Sequence, residues 1–469
     1  MTKSLSDLTI FAARTGLTSR AFSSFDLVTA CLDRIKQLNP EFHAFLALND
    51  SALTEAKAAD LKISAGEDLP LLGVPIAVKD NFLTQGIVTT AASKVLDNYL
   101  PQYDATVVKK MKNAGAIVLG KTNMDAWAHG SSTETSDFGP TLNPWNSNYL
   151  PGGSSGGSAS AVAAGMCPAA IGSETAGSIR QPAAWCGVTG FKPTYGRASR
   201  YGVIAMASST DSPGPITKTV ADARLLAGVL AGPDPLDATS SPRPAEEILA
   251  PGPDLKHLKI GLPASYLLPQ MRSDVKQLIL DAALQFEKLG ATVTEISLLD
   301  PKYSIGVYTI IQRSEVSSNL ARFDGIRYGH DRSAFGPEAK RRIMLGTFAL
   351  SSGYYDRYYH KAEQVRTLVI RDFARAFTDV DLIIGPTSPG PALPVGASLN
   401  QPMFGEMEDI LVEPSSIAGL TGINVPCGFV DSLPIGLQII GPQFGEAVVL
   451  SAAAAYQNST PWHEHVPVL

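Results

Sequence analysis

Two stretches, Pro151-Gly-Gly-Ser154-Ser155-Gly-Gly-Ser158 and Ser173-Glu-Thr-Ala-Gly-Ser178-Ile-Arg-Gln-Pro182, decide how this chain folds. Between them, residues 158–165 are rich in Ala and read as a helix packed tightly against backbone. Residues 169–172 read as a short strand that runs into a Gly/Ser turn ending at Ser178. One helix and one strand give enough chain to bring Ser154 and Ser178 to the same place. A Gly-rich linker is the blander reading of the first stretch alone. A linker rarely runs straight into an Ala-rich helix and a second Gly/Ser turn.

Upstream, residues 71–78 read as a short buried strand, with Lys79 at its end and Asp80-Asn81 turning away. This pattern has chemical content. A serine hydroxyl is a weak nucleophile at neutral pH and needs an adjacent base. A lysine can act as a base only when neutral, a state that burial favours. The apolar run before Lys79 supplies burial. The turn Thr175-Ala176-Gly177-Ser178 offers consecutive N–H groups to a developing oxyanion.

Further outward, Phe25, Val28, Cys31, Ile35 and Leu38 recur at helical spacing. Ser23 with Asp26 resembles a capping box, and Pro40 is expected to end the segment. A helix is expected over 105–111 and a strand over 116–119. Residues 232–256, dense in Pro, Asp and Ser, read as a surface connection. A strand follows at 258–262. Val275, Leu278, Ile279, Ala282, Ala283, Phe286 and Leu289 then form a helix face, with Ser273 as N-cap and Gly290 just past its end. Strands are expected at 293–296, 380–384 and 435–440, with helices over about 304–376. No internal repeat is visible. The mixture predicts one layered α/β domain over 1–469, an α/β/α sandwich around a large mixed sheet, with residues 1–65 as a helical N-terminal region and 66–469 as the core.

Composition narrows the function. The chain has 469 residues, 45% apolar and only 17% charged, so a large core is possible and disorder is not expected. The formal net charge of −6 argues against a chain that grips nucleic acid by itself. Cys31, Cys167, Cys186 and Cys427 lie far apart, without metal spacing, and read as buried free thiols. No leader is evident after Met1 and no apolar run is long enough to cross a membrane. The cytoplasm is the default compartment, with an organelle matrix left open.

Three other patterns lose to plainer readings. Residues 115–122 fit G-x-x-x-x-G-K-T, but the interior Ala116, Ile117, Val118 and Leu119 read as a strand rather than a phosphate-cradling loop. Residues 153–157 fit G-x-S-x-G around Ser155, yet no His lies in a helpful context. His463-Glu-His465 reads as a solvated tail, so no metal is expected.

The two serine stretches, together with Gly73-Val-Pro-Ile-Ala-Val-Lys79-Asp, resemble the amidase signature family over nearly the whole chain. Longer blocks are more specific. They include Phe191-Lys-Pro-Thr-Tyr-Gly-Arg-Ala-Ser-Arg-Tyr-Gly202, the segments 315–329 and 340–355, and Asn424-Val-Pro-Cys-Gly428. Within the family these blocks are similar to the glutamine-hydrolysing subunits of tRNA-dependent amidotransferases. The resemblance implies Ser178 as nucleophile, Ser154 (usually on a cis peptide bond) as proton relay and Lys79 as base. It implies an oxyanion hole from the backbone of Thr175, Ala176 and Gly177. Arg342 would hold the α-carboxylate of glutamine, Asp409 its α-amino group, and Tyr308 would contact the substrate. No cofactor is expected on this chain. ATP and Mg2+ would act on a B subunit that also holds Glu-tRNA(Gln) or Asp-tRNA(Asn), with a small C subunit completing a heterotrimer. A free-standing hydrolase of another small amide is the alternative. Glu174 and Ala176 stand where the family usually has Asp and Gly, and the segment from Gly329 to Lys340 is shorter than usual.

Overall fold

The structure, a computed structural model, describes residues 4–327 and 329–469. The first three residues of the leader reading and Tyr328 of the 315–329 block lie outside the described residues. Eleven strands form one mixed sheet. They are β1 (Phe45–Leu48), β2 (Pro75–Lys79), β3 (Ile117–Thr122), β4 (Ala169–Glu174), β5 (Thr189–Lys192), β6 (Ser212–Thr217), β7 (Lys259–Pro263), β8 (Thr292–Ile296), β9 (Leu382–Pro386), β10 (Thr421–Val430) and β11 (Leu433–Gly441). Their spatial order is β1-β3-β2-β4-β6-β5-β10-β11-β9-β7-β8. Every residue of β2, β3, β4, β5, β6, β9 and β11 is buried, so both faces of the central sheet are covered. This is the layered α/β architecture that the strand and helix mixture implies.

The parallel trio at β3, β2 and β4 positions the chemistry. Val78 pairs with Ile171 and Lys79 with Thr122, so the carboxyl ends of three neighbouring strands lie together. In open α/β sheets ligands gather at such ends. The helix Gly156–Ala163 packs beside them against β2, β3, β4 and β6. Its approach is backbone to backbone: a Cβ on Gly157 would lie 2.4 Å from the Asn123 carbonyl oxygen. Packing this close is why the segment is built from Gly, Ala and Ser.

Several local expectations need correction. Pro40 does not end its helix, which runs from Ser24 to Phe42 and closes at His43 with φ +53°. A proline this close to the C-terminal end removes one N–H and disturbs only the last turn. The capping box at Ser23 and Asp26 is formed. The strand expected from residue 71 begins only at Pro75, because Gly73 turns the chain at φ +76°. Ser273 is the first residue of the helix Ser273–Lys288 rather than its cap, and Arg272 occupies the cap position without a side-chain bond. The region 1–65 is not wholly helical, since Phe45–Leu48 forms the edge strand β1 against β3. All four cysteines are free and buried.

On the far side of the site, the helices Lys302–Asn319 and Pro337–Leu350 pack closely. Gly346 makes that approach possible, because a Cβ there would sit 1.8 Å from the Arg313 carbonyl oxygen. Gly346→Ala should therefore force the helices apart and destabilise the protein by about 1–3 kcal/mol. A thermal melt checks this, and an unchanged melting temperature contradicts it.

Candidate active site

Lys79 ends β2 with no exposed surface. Its Nζ lies 2.8 Å from Ser154 Oγ, 3.1 Å from the Ser173 carbonyl oxygen and 3.1 Å from Ser173 Oγ. Burial pulls the amine down to about 7, against the opposing pull of Asp125, Asp211 and Glu174. A neutral amine has two hydrogens and one lone pair. The three contacts match that inventory: two bonds donated towards Ser173, and one accepted from the Ser154 hydroxyl. Asn81 also donates to Ser173 Oγ, at 2.9 Å.

Ser154 follows a cis peptide bond from Gly153, as the resemblance implies. Gly153 lies against Asp125 and the Ser131–Ser132 backbone, and a Cβ there would meet Asp125 Oδ2 at 2.0 Å. Asp125 in turn accepts from the N–H groups of Ser132 and Thr135 and from the Thr135 hydroxyl, fixing the 130–135 loop over the serine stretch. Its own N–H donates to the Ser154 carbonyl oxygen at 3.3 Å.

The Ser178 turn is joined to this stretch by a bond from Ser155 N–H to the Ser178 carbonyl oxygen, 3.2 Å. The Ser178 hydroxyl has no hydrogen-bond partner among the described residues, and neither do the N–H groups of Ala176, Gly177 and Ser178. The nucleophile candidate and its donors are thus uncommitted, while Lys79 and Ser154 are already in contact. Catalytic hydrogen bonds are often completed only when the substrate is in place.

The two unusual residues of the turn fit it. The Glu174 carboxylate accepts from the N–H groups of Ile179 and Arg180 through Oε2 and from the Arg180 guanidinium through Oε1, at 2.6 and 2.8 Å. Arg180 also donates to the Val412 carbonyl oxygen and to Ser415, Ser416 and Gln438, tying the turn to β11 and the segment before β10. Ala176 is buried with φ outside the left-handed region, so its methyl group introduces no backbone strain. Thr175 donates its hydroxyl to Asp211 at 2.7 Å.

Tyr308, Arg342 and Asp409 come from distant segments and meet in one buried polar cluster. Arg342 Nε donates to Glu338 at 2.7 Å, and its Nη2 lies 4.0 Å from Glu406. Asp409 accepts from Ser131 through Oδ2 at 2.8 Å, while its Oδ1 is buried without a partner among the described residues. That oxygen faces the Ser178 turn: a Cβ on Gly177 would lie 2.4 Å from it. Burial pushes the Asp409 carboxyl well above the usual range. The Tyr308 hydroxyl is likewise pushed up by burial, and Arg342 and Asp409 both act on it. A cavity of about 370 Å³ opens beside the cluster, walled by Ser131, Ser132, Glu338, Arg342 and Glu406. The short segment after Gly329 contributes Gly336 and Pro337 to the same wall, and seats Phe335 on Trp127 with ring centroids 5.2 Å apart.

Sequence reasoning missed Ser173, Asn81, Asp125, Ser131 and Asp211. Ser173 stood inside the decisive stretch. Its sign was position, because the end of β4 pairs beside the end of β2. The G-x-x-x-x-G-K-T pattern resolves as expected. Residues 117–122 are strand, and Lys121 is buried 3.7 Å from Asp80. Ser155 donates to the Ser173 carbonyl oxygen, with no histidine partner among the described residues. No group of three or more metal-ligating residues occurs among the described residues. No helix among them is long and apolar enough to cross a membrane.

The fold and the lysine–serine centre together define an amidase-type hydrolase. The Amidase family profile matches residues 26–450, and the chain belongs to that family. It is 50% identical over 487 aligned positions to the glutamyl-tRNA(Gln) amidotransferase A subunit of Geobacillus thermodenitrificans, covering 99% of this chain and 100% of the relative. The protein of the same name from Thermotoga maritima, in its crystal structure, superposes with a TM-score of 0.80 at 39% identity, covering 97% of this chain and 96% of that one. A bacterial aryl acylamidase of the amidase signature family superposes at 0.87 with 27% identity, covering 97% and 98%.

Proposed function

We propose that this chain is the glutamine-hydrolysing subunit of a glutamyl-tRNA(Gln) amidotransferase. The observation that carries the chemistry is the fully buried Lys79 amine 2.8 Å from the Ser154 hydroxyl, beside the uncommitted Ser178 turn. Full-length likeness to proteins of that name supports the substrate. In this reading Ser178 attacks the side-chain carboxamide carbon of glutamine. Its proton passes through Ser154 to neutral Lys79, and the oxyanion is met by the N–H groups of Thr175, Ala176 and Gly177. Lys79 then returns the proton to the departing ammonia, and water releases glutamate from the acyl-enzyme. Arg342 offers its fork to the α-carboxylate. The partnerless Oδ1 of Asp409 takes the α-ammonium, and Tyr308 contacts the substrate between them.

Ammonia would pass to a B subunit that holds the tRNA and uses ATP and Mg2+, with a small C subunit clamping the pair. A net charge of −6 agrees with tRNA being held elsewhere. The test is ammonia release from glutamine by the chain alone and after co-purification with candidate B and C subunits. Release that depends on, or rises with, those subunits supports the proposal. Hydrolysis of simple amides with none of glutamine, with or without them, sinks it in favour of a free-standing amidase. Arg342→Met should raise KM for glutamine at least about tenfold and leave turnover of uncharged butyramide unchanged, since only the former has a carboxylate to lose. Equal effects on both substrates contradict the assigned contact.

A further inference from the structure

We propose that His129 is a further binding residue of this site, its imidazole sharing the ligand's carboxylate with the Arg342 guanidinium. The inference rests on the glutamine reading above but on different atoms. His129 is 1% exposed, and neither of its ring nitrogens has a partner among the described residues. A buried polar group left unpaired is costly, so an imidazole with two such atoms needs an explanation. Its location supplies one, since it lines the 370 Å³ cavity together with Arg342 and Ser131. Burial holds the ring well below its ordinary pKa, and Arg342 and Arg313 push it in the same direction. The ring is therefore neutral, with one N–H to donate.

A carboxylate is the ligand group that suits this wall. Arg342 commits only Nε to Glu338, which leaves its outer nitrogens without a hydrogen bond among the described residues. A carboxylate against those nitrogens has lone pairs left for a second donor, and the neutral imidazole provides it without a third positive charge. Arg313 and Arg342 already stand against Glu338 and Glu406, and a zwitterionic amino acid adds no net charge beside them.

The test is calorimetric binding of L-glutamate, which carries the same α-groups as glutamine, to the full-length chain. His129→Met keeps the bulk and removes the donor; it should weaken binding at least tenfold. His129→Asn restores a donor and should bind within about threefold of the unchanged protein. Glutamine turnover should show the loss in KM, with kcat within twofold, which a merely structural role would not produce. Glutamate binding that is absent, or unchanged in His129→Met, overturns the proposal. An equal loss of kcat for glutamine and butyramide also overturns it. Ring-15N spectra of histidine-labelled wild-type protein decide the matter even if the methionine variant fails to fold, because L-glutamate must shift one histidine and no response overturns the inference. The glutamine reading fails separately, through absent glutamine turnover, whatever glutamate binding shows.

Discussion

Ser178→Ala is expected to lower amide hydrolysis by about 10⁴-fold or more, the scale on which loss of an activated serine nucleophile registers. Stability should barely change. The hydroxyl has no hydrogen-bond partner among the described residues, so its removal leaves no buried group unpaired. Ammonia release and a thermal melt on the same preparation measure both halves. The informative control is Ser155, the central serine of the rival G-x-S-x-G pattern. Its hydroxyl donates to the Ser173 carbonyl oxygen at 3.3 Å, so Ser155→Ala loosens a support and should leave activity within about tenfold. The opposite ranking, with the Ser155 variant dead and the Ser178 variant active, would move the nucleophile and undo the lysine-based mechanism. A glutamine-like electrophile should also label the protein once, at Ser178, and mass spectrometry of the modified peptide reads this directly.

The sequence made the lysine–serine centre legible because the lysine closes an apolar strand and the two serines lie in Gly-rich turns, two opposite local signatures. Pro75-Ile-Ala-Val78 is apolar up to Lys79, and a lysine at the end of a wholly buried strand has few roles. The serine stretches flank one helix and one strand, and that short return path leaves few ways to separate them. Legibility failed where the backbone was made of breakers. β6 reads Ser-Pro-Gly-Pro-Ile-Thr, which no propensity rule would call a strand. Pro213 and Pro215 share a parity, however, so donors are missing along one edge only. β4 pairs with β6 from Ala169 to Glu174, whereas β5 meets it only at Ile216 and Thr217. β10 hid behind Pro426 and the irregular register between Pro426 and Gly428.

The ligand side of the site was less legible for a different reason. Tyr308, Arg342 and Asp409 carry no local motif. Each belongs to a separate helical segment or its end, and only the long resembling blocks pointed to them. His129 had no sign at all, being one histidine before a Gly-Ser-Ser run. Its meaning comes from three-dimensional facts, namely burial, an unpaired ring and two nearby guanidinium groups. Charge arrangement of this kind is a property of tertiary packing, and neither periodicity nor spacing encodes it.

Lys79 carries the second large expectation, and the sign of its pH dependence is fixed by its role. An ordinary lysine titrates at 10.5, and here burial brings it to about 7. A base must be unprotonated before it acts. Hydrolysis should therefore rise with pH through about 7 and level off above it. If the ammonium form acted instead, by electrostatic attraction, the rate would fall through the same point. Lys79→Arg separates charge from basicity. Arginine keeps the positive charge but is never neutral in this range, so the variant should lose about 10²–10⁴-fold in turnover. Lys79→Met should lose as much, and should also melt lower, because Ser173 loses a hydrogen-bonding partner for two of its oxygens and Ser154 loses one for its hydroxyl. An arginine variant with near-normal turnover, or a wild-type rate flat from about pH 6 to 9, would mean that the buried amine only holds the serines in place and that the proton leaves Ser178 by another route.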